Sequence, residues 1–128
     1  IQFKKIISDL NNLKNIGILG LTYKENTNSI KNSPSLSFIK KISRNKKLKI
    51  NAFDPKIKEL INYKSVNICK NIPELLKKSE LLYIGTPWKI FKKINYKKFN
   101  NIKAIIDPYN LTSFSLIKKK IKYVGMGK

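Results

Sequence analysis

Apolar positions along the chain fall into short uninterrupted runs separated by longer amphipathic stretches. Ile16 to Leu21 runs almost without a polar break, the pattern of a parallel strand covered on both faces. Comparable runs lie at Leu48 to Phe53, Val66 to Cys69, Leu81 to Gly85, Ala104 to Asp107 and Lys122 to Gly125. Between them the spacing turns helical. Leu36, Ile39 and Ile42 put one apolar face on a helix over Pro34 to Ser43, turned toward the sheet. Helices are also predicted over Pro55 to Asn62, Pro73 to Ser79, Pro87 to Ile94 and Ser113 to Lys119. Phe3, Ile6, Leu10 and Leu13 make a further helical stripe that ends near Asn11-Asn12.

Prolines set the phase of these units. Ser33-Pro34, Asp54-Pro55, Thr86-Pro87 and Asp107-Pro108 each follow an apolar strand, directly or after a loop. Ser, Asp and Thr accept hydrogen bonds from the free N–H groups of a first helical turn. Proline is tolerated just inside a helix because its missing N–H had no partner there. The four pairs therefore read as helix caps. Strand and helix alternate throughout, so the expected fold is α/β: a mostly parallel sheet of about six strands, helices on both faces, three layers in all.

Composition narrows the functions open to such a domain. At 128 residues the chain is one domain, enough to bury about two-thirds of its unfolded surface. No apolar run approaches the roughly 18 residues of a spanning helix, and no signal peptide is visible. The expectation is a cytoplasmic protein with no membrane partner. The chain opens on Ile rather than Met, and a fragment is expected. One cysteine, no histidine and seven scattered carboxylates leave no metal site. The net charge of +21 invites a nucleic-acid reading. Lys, Ile and Asn make up about half the chain, however, a bias that A- and T-rich codons produce without any partner. The lysines are also dispersed rather than gathered between exposed aromatics. A solvated surface with nonspecific polyanion binding at low salt is expected.

Candidate chemistry concentrates in Asn15 to Pro34. Gly17 and Gly20 permit close backbone approach. The loop beyond the first strand leaves its carboxyl end, where open α/β sheets place ligands. It carries Lys24 and Lys31, cations suited to a phosphate. Gly17-x-x-Gly20 lacks dinucleotide-fingerprint spacing, and Gly125-Met126-Gly127 has no helix after it. Asp54 and Asp107 read as caps. Thr86 does so too, with Trp88 covering the sheet edge beside it. Cys69 reads as a buried inert thiol.

The same stretch resembles a known family. GLTYKENTNSIKNSP is similar to the signature of the C-terminal domain of UDP-glucose/GDP-mannose dehydrogenases, in which Gly-Leu-x-aromatic-Lys precedes Thr, two acids, Arg and Ser-Pro. Gly20, Leu21, Tyr23, Lys24, Thr27, Ser33 and Pro34 fit. Asn28 and Ser29 stand for the acids and Lys31 for the Arg. Downstream, Ala52-Phe53-Asp54-Pro55 resembles the family's aromatic-Asp-Pro strand end. Thr86, Trp88 and Phe91 resemble its Thr-x-Trp-x-x-Phe, Ile106, Asp107 and Asn110 its Ile-Asp-x-x-Asn, and Tyr123 to Gly127 its usual chain end.

The resemblance implies a Rossmann-like, UDP-sugar-binding domain over residues 15–128. Residues 1–14 would be the end of a central linker helix that pairs subunits into a homo-oligomer. The intact enzyme would oxidise a sugar C6 alcohol to a carboxylate with two NAD molecules in succession, through a cysteine-bound thiohemiacetal and thioester. NAD would be bound mainly by an N-terminal domain, and the nucleophile would lie in a central one. Both would be partners of this chain, which is expected to be inactive alone and to hold no catalytic residue. Tyr23 and Lys24 would hold the nucleotide-sugar, Lys24 near its phosphates. Lys31 stands where the family's Arg reaches toward NAD; it keeps the charge but not the forked geometry, leaving either a point-charge contact or a weaker site. Tyr109 stands where many members have a nucleotide-contacting Arg. Its hydroxyl can hydrogen-bond and its ring can stack on a base, or it packs over its own strand. Asn110 completes the substrate set. A basic nucleic-acid module and a degenerate, non-catalytic nucleotide-sugar binder are the alternatives.

Overall fold

The computed structural model describes residues 12–60, 62–63 and 65–125. The stripe over Phe3 to Leu10 and the residues after Gly125 lie outside them. Six strands form one all-parallel sheet: β1 (Asn15–Leu19), β2 (Lys49–Phe53), β3 (Val66–Ile68), β4 (Leu81–Ile84), β5 (Ala104–Asp107) and β6 (Lys122–Gly125). Their order is β3-β2-β1-β4-β5-β6. The chain builds outward from β1 in one direction, then returns to β4 on its other side. That order is the Rossmann-type arrangement, with its topological switch between β1 and β4.

Alternation along the strands sorts side chains into two cores. Ile16, Ile18, Ile50, Ala52, Leu81, Tyr83, Ala104 and Ile106 fill one face. Leu19, Leu82, Ile84 and Ile105 fill the other. Helix α1 (Pro34–Ile42) covers the first face with Phe38, Ile39 and Ile42, and the Phe38 ring stacks on Tyr83 at 4.2 Å. Leu36, expected on that face, is partly buried, and Ser35 and Phe38 are buried in addition to the expected pair. Helix α2 (Ile72–Lys78) covers the second face with Leu75 and Leu76. Seven residues are too few for a helix stable by itself. Burying these two leucines supplies about 1.5–3 kcal/mol each, and the Asn71 side chain caps the first turn by accepting from Glu74 N–H at 2.9 Å.

Three expected helices take other forms. Residues 55–60 are bends and coil rather than the start of a helix. Pro87 to Ile94 contracts to a 3₁₀ turn at Lys89–Lys93, and Ser113 to Lys119 to one at Phe114–Leu116. A further 3₁₀ turn spans Tyr96–Lys98. Phe91 and Tyr96 from these turns, and Ile94 between them, are buried and cover the second face. The domain thus keeps three layers, with two α-helices among the described residues.

Candidate functional site

The β1–α1 loop leaves the carboxyl end of β1, beside the switch between β1 and β4. Its first turn is held rigidly. Gly20 has φ +92°, a left-handed conformation that favours glycine. A Cβ there would meet Thr86 at 2.5 Å. Gly20 N–H donates to Phe53 O at 2.8 Å, and Gly20 O accepts from the Ser35 hydroxyl. Asp54, at the end of β2 and 1% exposed, takes two amides of the same turn on one oxygen: Leu21 N–H at 2.7 Å and Thr22 N–H at 3.2 Å. The Trp88 indole N–H donates to that oxygen at 3.2 Å. The other oxygen accepts from Lys56 N–H at 2.8 Å. From the β4 side, the Thr86 hydroxyl donates to Thr22 O at 2.8 Å.

These contacts change the reading of the proline pairs. Ser33 caps α1, its side chain accepting from Leu36 N–H. Asp54 and Thr86 cap no α-helix; they reach sideways and grip the turn after β1. Asp107 likewise accepts from Thr112 N–H and the Tyr123 hydroxyl, both at 2.8 Å. Asp-Pro and Thr-Pro spell a helix start equally well, so local pattern could not separate the two uses. A carboxylate ending the strand adjacent to β1 was the available signal.

Beyond the grip, the loop opens to solvent. Tyr23 N–H donates to Ser29 O at 2.8 Å, and the Thr22 hydroxyl donates to Lys24 O at 2.9 Å. Asn26 and Asn32 take left-handed φ of 63° and 60°, which asparagine tolerates better than most residues. Tyr23, Lys24 and Lys31 are all exposed. Lys31 lies two residues before the α1 cap Ser33, near the amino end of a helix, where anions are favoured.

Across the end of β4 stands the loop after β5. The Tyr109 hydroxyl donates to Gly85 O at 3.3 Å, over the last residues of β4. Its ring stays 42% exposed. Burial, then the Glu25 carboxylate, push its phenol up. Tyr83 is pushed up to about 12 by burial and by Tyr109. Asn110 has φ 50°, and its amide oxygen lies where a Cβ on Gly125 would stand, 2.1 Å away. Its side chain is turned toward β6. Tyr23, Lys24 and Lys31 thus lie exposed on the β1–α1 loop and Tyr109 on the loop after β5, both loops at the carboxyl edge of the sheet, while the Asn110 side chain is set against the next strand.

The close approach expected at Gly17 is made by side chains rather than backbone, and the buried-thiol reading of Cys69 agrees with its surroundings. A Cβ on Gly17 would stand 2.1 Å from Ser79 Oγ, so that glycine admits the end of α2. Cys69 is buried, its thiol pushed up by burial and then by Glu74; a protonated buried thiol is a poor nucleophile. Among the described residues no group of three or more His, Cys, Asp or Glu could hold a metal ion, and no helix is long and apolar enough to cross a membrane. A concavity of about 610 Å³ lined by Asn51, Asn67, Lys77 and Lys78 lies at the opposite rim, by the amino ends of β1 and β2.

Comparison with known proteins places this geometry. Residues 17–113 match the UDP-glucose/GDP-mannose dehydrogenase family, UDP binding domain. The UDP-glucose 6-dehydrogenase of Rickettsia prowazekii (strain Madrid E) is 33% identical over 122 residues, 89% of this chain and 28% of that protein. Among solved structures, a UDP-D-ManNAc dehydrogenase from Pyrococcus horikoshii superposes with TM-score 0.76 at 23% identity, over 98% of this chain and 29% of that one. A UDP-N-acetyl-mannosamine dehydrogenase from Staphylococcus aureus gives TM-score 0.74 at 21% identity, over 96% of this chain and 28% of that one. The chain thus spans just over a quarter of the length of these relatives. With the family's domain model running from within β1 through β5, across the gripped turn and both rim loops, this chain belongs to the UDP-glucose/GDP-mannose dehydrogenase family, of which it forms the UDP-binding C-terminal domain.

Proposed function

We propose that this domain supplies the nucleotide side of the substrate site in an NAD-dependent nucleotide-sugar 6-dehydrogenase of the UDP-glucose type. The observation that carries the proposal is the turn after β1: rigid where Asp54 and Thr86 hold it, exposed and cationic where Lys24 stands. Lys24 holds the diphosphate, a charge-assisted contact of about 1.5–3 kcal/mol. Tyr23 and Tyr109 flank it with exposed rings that can stack on the base. Asn110 shapes the turn that presents Tyr109. Lys31 faces the cofactor side as a point charge.

The chain's own residues fit a cofactor held mainly elsewhere. Gly17 serves the packing of α2, and no phosphate-cradling glycine pattern follows β1. NAD, when bound, accepts the hydride; this domain positions the sugar nucleotide and closes over it to exclude water. The only cysteine is the buried Cys69, so the 128-residue chain alone binds and does not catalyse. The N-terminal and central domains, in a homo-oligomer, complete the enzyme.

Thermal unfolding with UDP-glucose, UDP or GDP-mannose at physiological salt tests the proposal, because a ligand bound only by the folded state raises stability with its concentration. A saturable rise with UDP-glucose and UDP, with no hydride transfer by the chain alone, is expected. No rise with any nucleotide contradicts the assignment, and equal rises with UDP and GDP-mannose contradict its UDP-glucose type.

A further inference from the structure

We infer that Asp54 and Thr86 are positioning residues: together they set the geometry in which the turn after β1 meets its diphosphate ligand. The inference rests on the proposed UDP site and says how that site is kept in shape. Neither side chain is available to the ligand. Asp54 is 1% and Thr86 0% exposed. What they hold is the backbone two residues before Lys24. Asp54 fixes the Leu21 and Thr22 N–H groups, and Thr86 fixes the Thr22 carbonyl from the opposite side. The two peptide units flanking the Thr22 Cα are thus clamped, one from the end of β2 and the other from beyond β4. The Thr22 hydroxyl then passes that constraint to Lys24 O.

The acceptor count explains why a carboxylate stands at Asp54. One oxygen faces three donors and the other faces the Lys56 N–H. An asparagine carries a single acceptor oxygen. Whichever way it is turned, its NH₂ confronts an N–H group. The same cluster contains its own reporter. Trp88 is the sole tryptophan, 7% exposed, and its indole N–H is bonded to the oxygen that holds the turn. Loosening of the clamp is therefore readable in the tryptophan emission and in the indole N–H resonance.

The test uses the 128-residue chain with UDP as the probe. Asp54→Asn should shift the Trp88 signals, speed amide exchange at Leu21 and Thr22, and weaken UDP binding about tenfold or more. Thr86→Val should weaken UDP binding with the Asp54 bonds in place, and Thr86→Ser, which keeps the hydroxyl, should restore it. That pair decides the matter if Asp54→Asn does not fold. Variants that melt earlier yet bind UDP as tightly as wild type overturn the positioning role and leave the UDP site standing. A wild-type chain that binds no UDP instead contradicts the proposed function. In that event unchanged Leu21 and Thr22 exchange in Asp54→Asn overturns the clamp as well.

Discussion

A methyl group on Gly85 would stand 1.7 Å from Ser35 Oγ and 3.1 Å from Gly20 O. Ser35 is fully buried and bonded to that carbonyl, so neither atom can retreat cheaply. Gly85→Ala should therefore lose about 1–3 kcal/mol of stability through overpacking, read as a lower urea midpoint. An alanine variant as stable as wild type would show that the β4 end is looser than described. The residues gripping the site were the hardest to read from sequence. Lys24, Tyr23 and Tyr109 announce themselves by type and by position beyond strand ends. Asp54, Thr86 and Ser35 act through bonds to residues 15 to 64 positions away, and nothing in their neighbours shows which distant backbone they meet. Asn110 shows the converse: its position after β5 was legible, but the direction of its side chain depends on Gly125 of the neighbouring strand.

Elements were legible wherever burial leaves one choice. All six strands coincide with largely apolar runs, as a covered parallel sheet favours; the polar Asn51 in β2 and Asn67 in β3 bond to each other across the strand pair. Pro55 to Asn62 shows the limit. Its proline, charges and spaced apolar residues suit a helix, yet Asp54 spends its carboxylate on the turn after β1, the Lys56 amide and Trp88 rather than on a helical first turn. Ile57 and Leu60 pack against the first core without helix. Tertiary contact here overrides propensity. Another element junction depends on pH. Glu80, before β4, accepts from Lys14 and Asn15 N–H at 2.9 and 3.0 Å, and Lys103 lies 3.7 Å away. Burial pushes its carboxyl up, but these bonds and the lysine outweigh it, leaving it below the usual 4.5. Its contribution is therefore full above about pH 4.5 and is lost as pH falls through the lower folded value. Glu74, lowered chiefly by the Lys70 N–H, titrates in the same direction, so the comparison is between variants. Glu80→Gln should show less acid destabilisation than wild type in urea unfolding between pH 6 and about pH 3. Parallel acid limbs would remove Glu80 from the junction.

At the scale of the molecule, the fold and the family were readable, because a parallel α/β sheet and a run of spaced motif residues both leave long patterns. The net charge of +21 sets a separate expectation. Duplex DNA should bind the chain at low salt without sequence preference and release steeply as salt rises. A sequence-specific complex surviving at physiological salt would favour the nucleic-acid alternative. The most direct test of the whole account is UDP titration of the 128-residue chain at physiological salt, wild type against Lys24→Gln. Saturable binding that falls about 10- to 100-fold on loss of the charge is the predicted result. Identical affinities, with the β1 turn intact by amide exchange, would show that the diphosphate does not sit on Lys24.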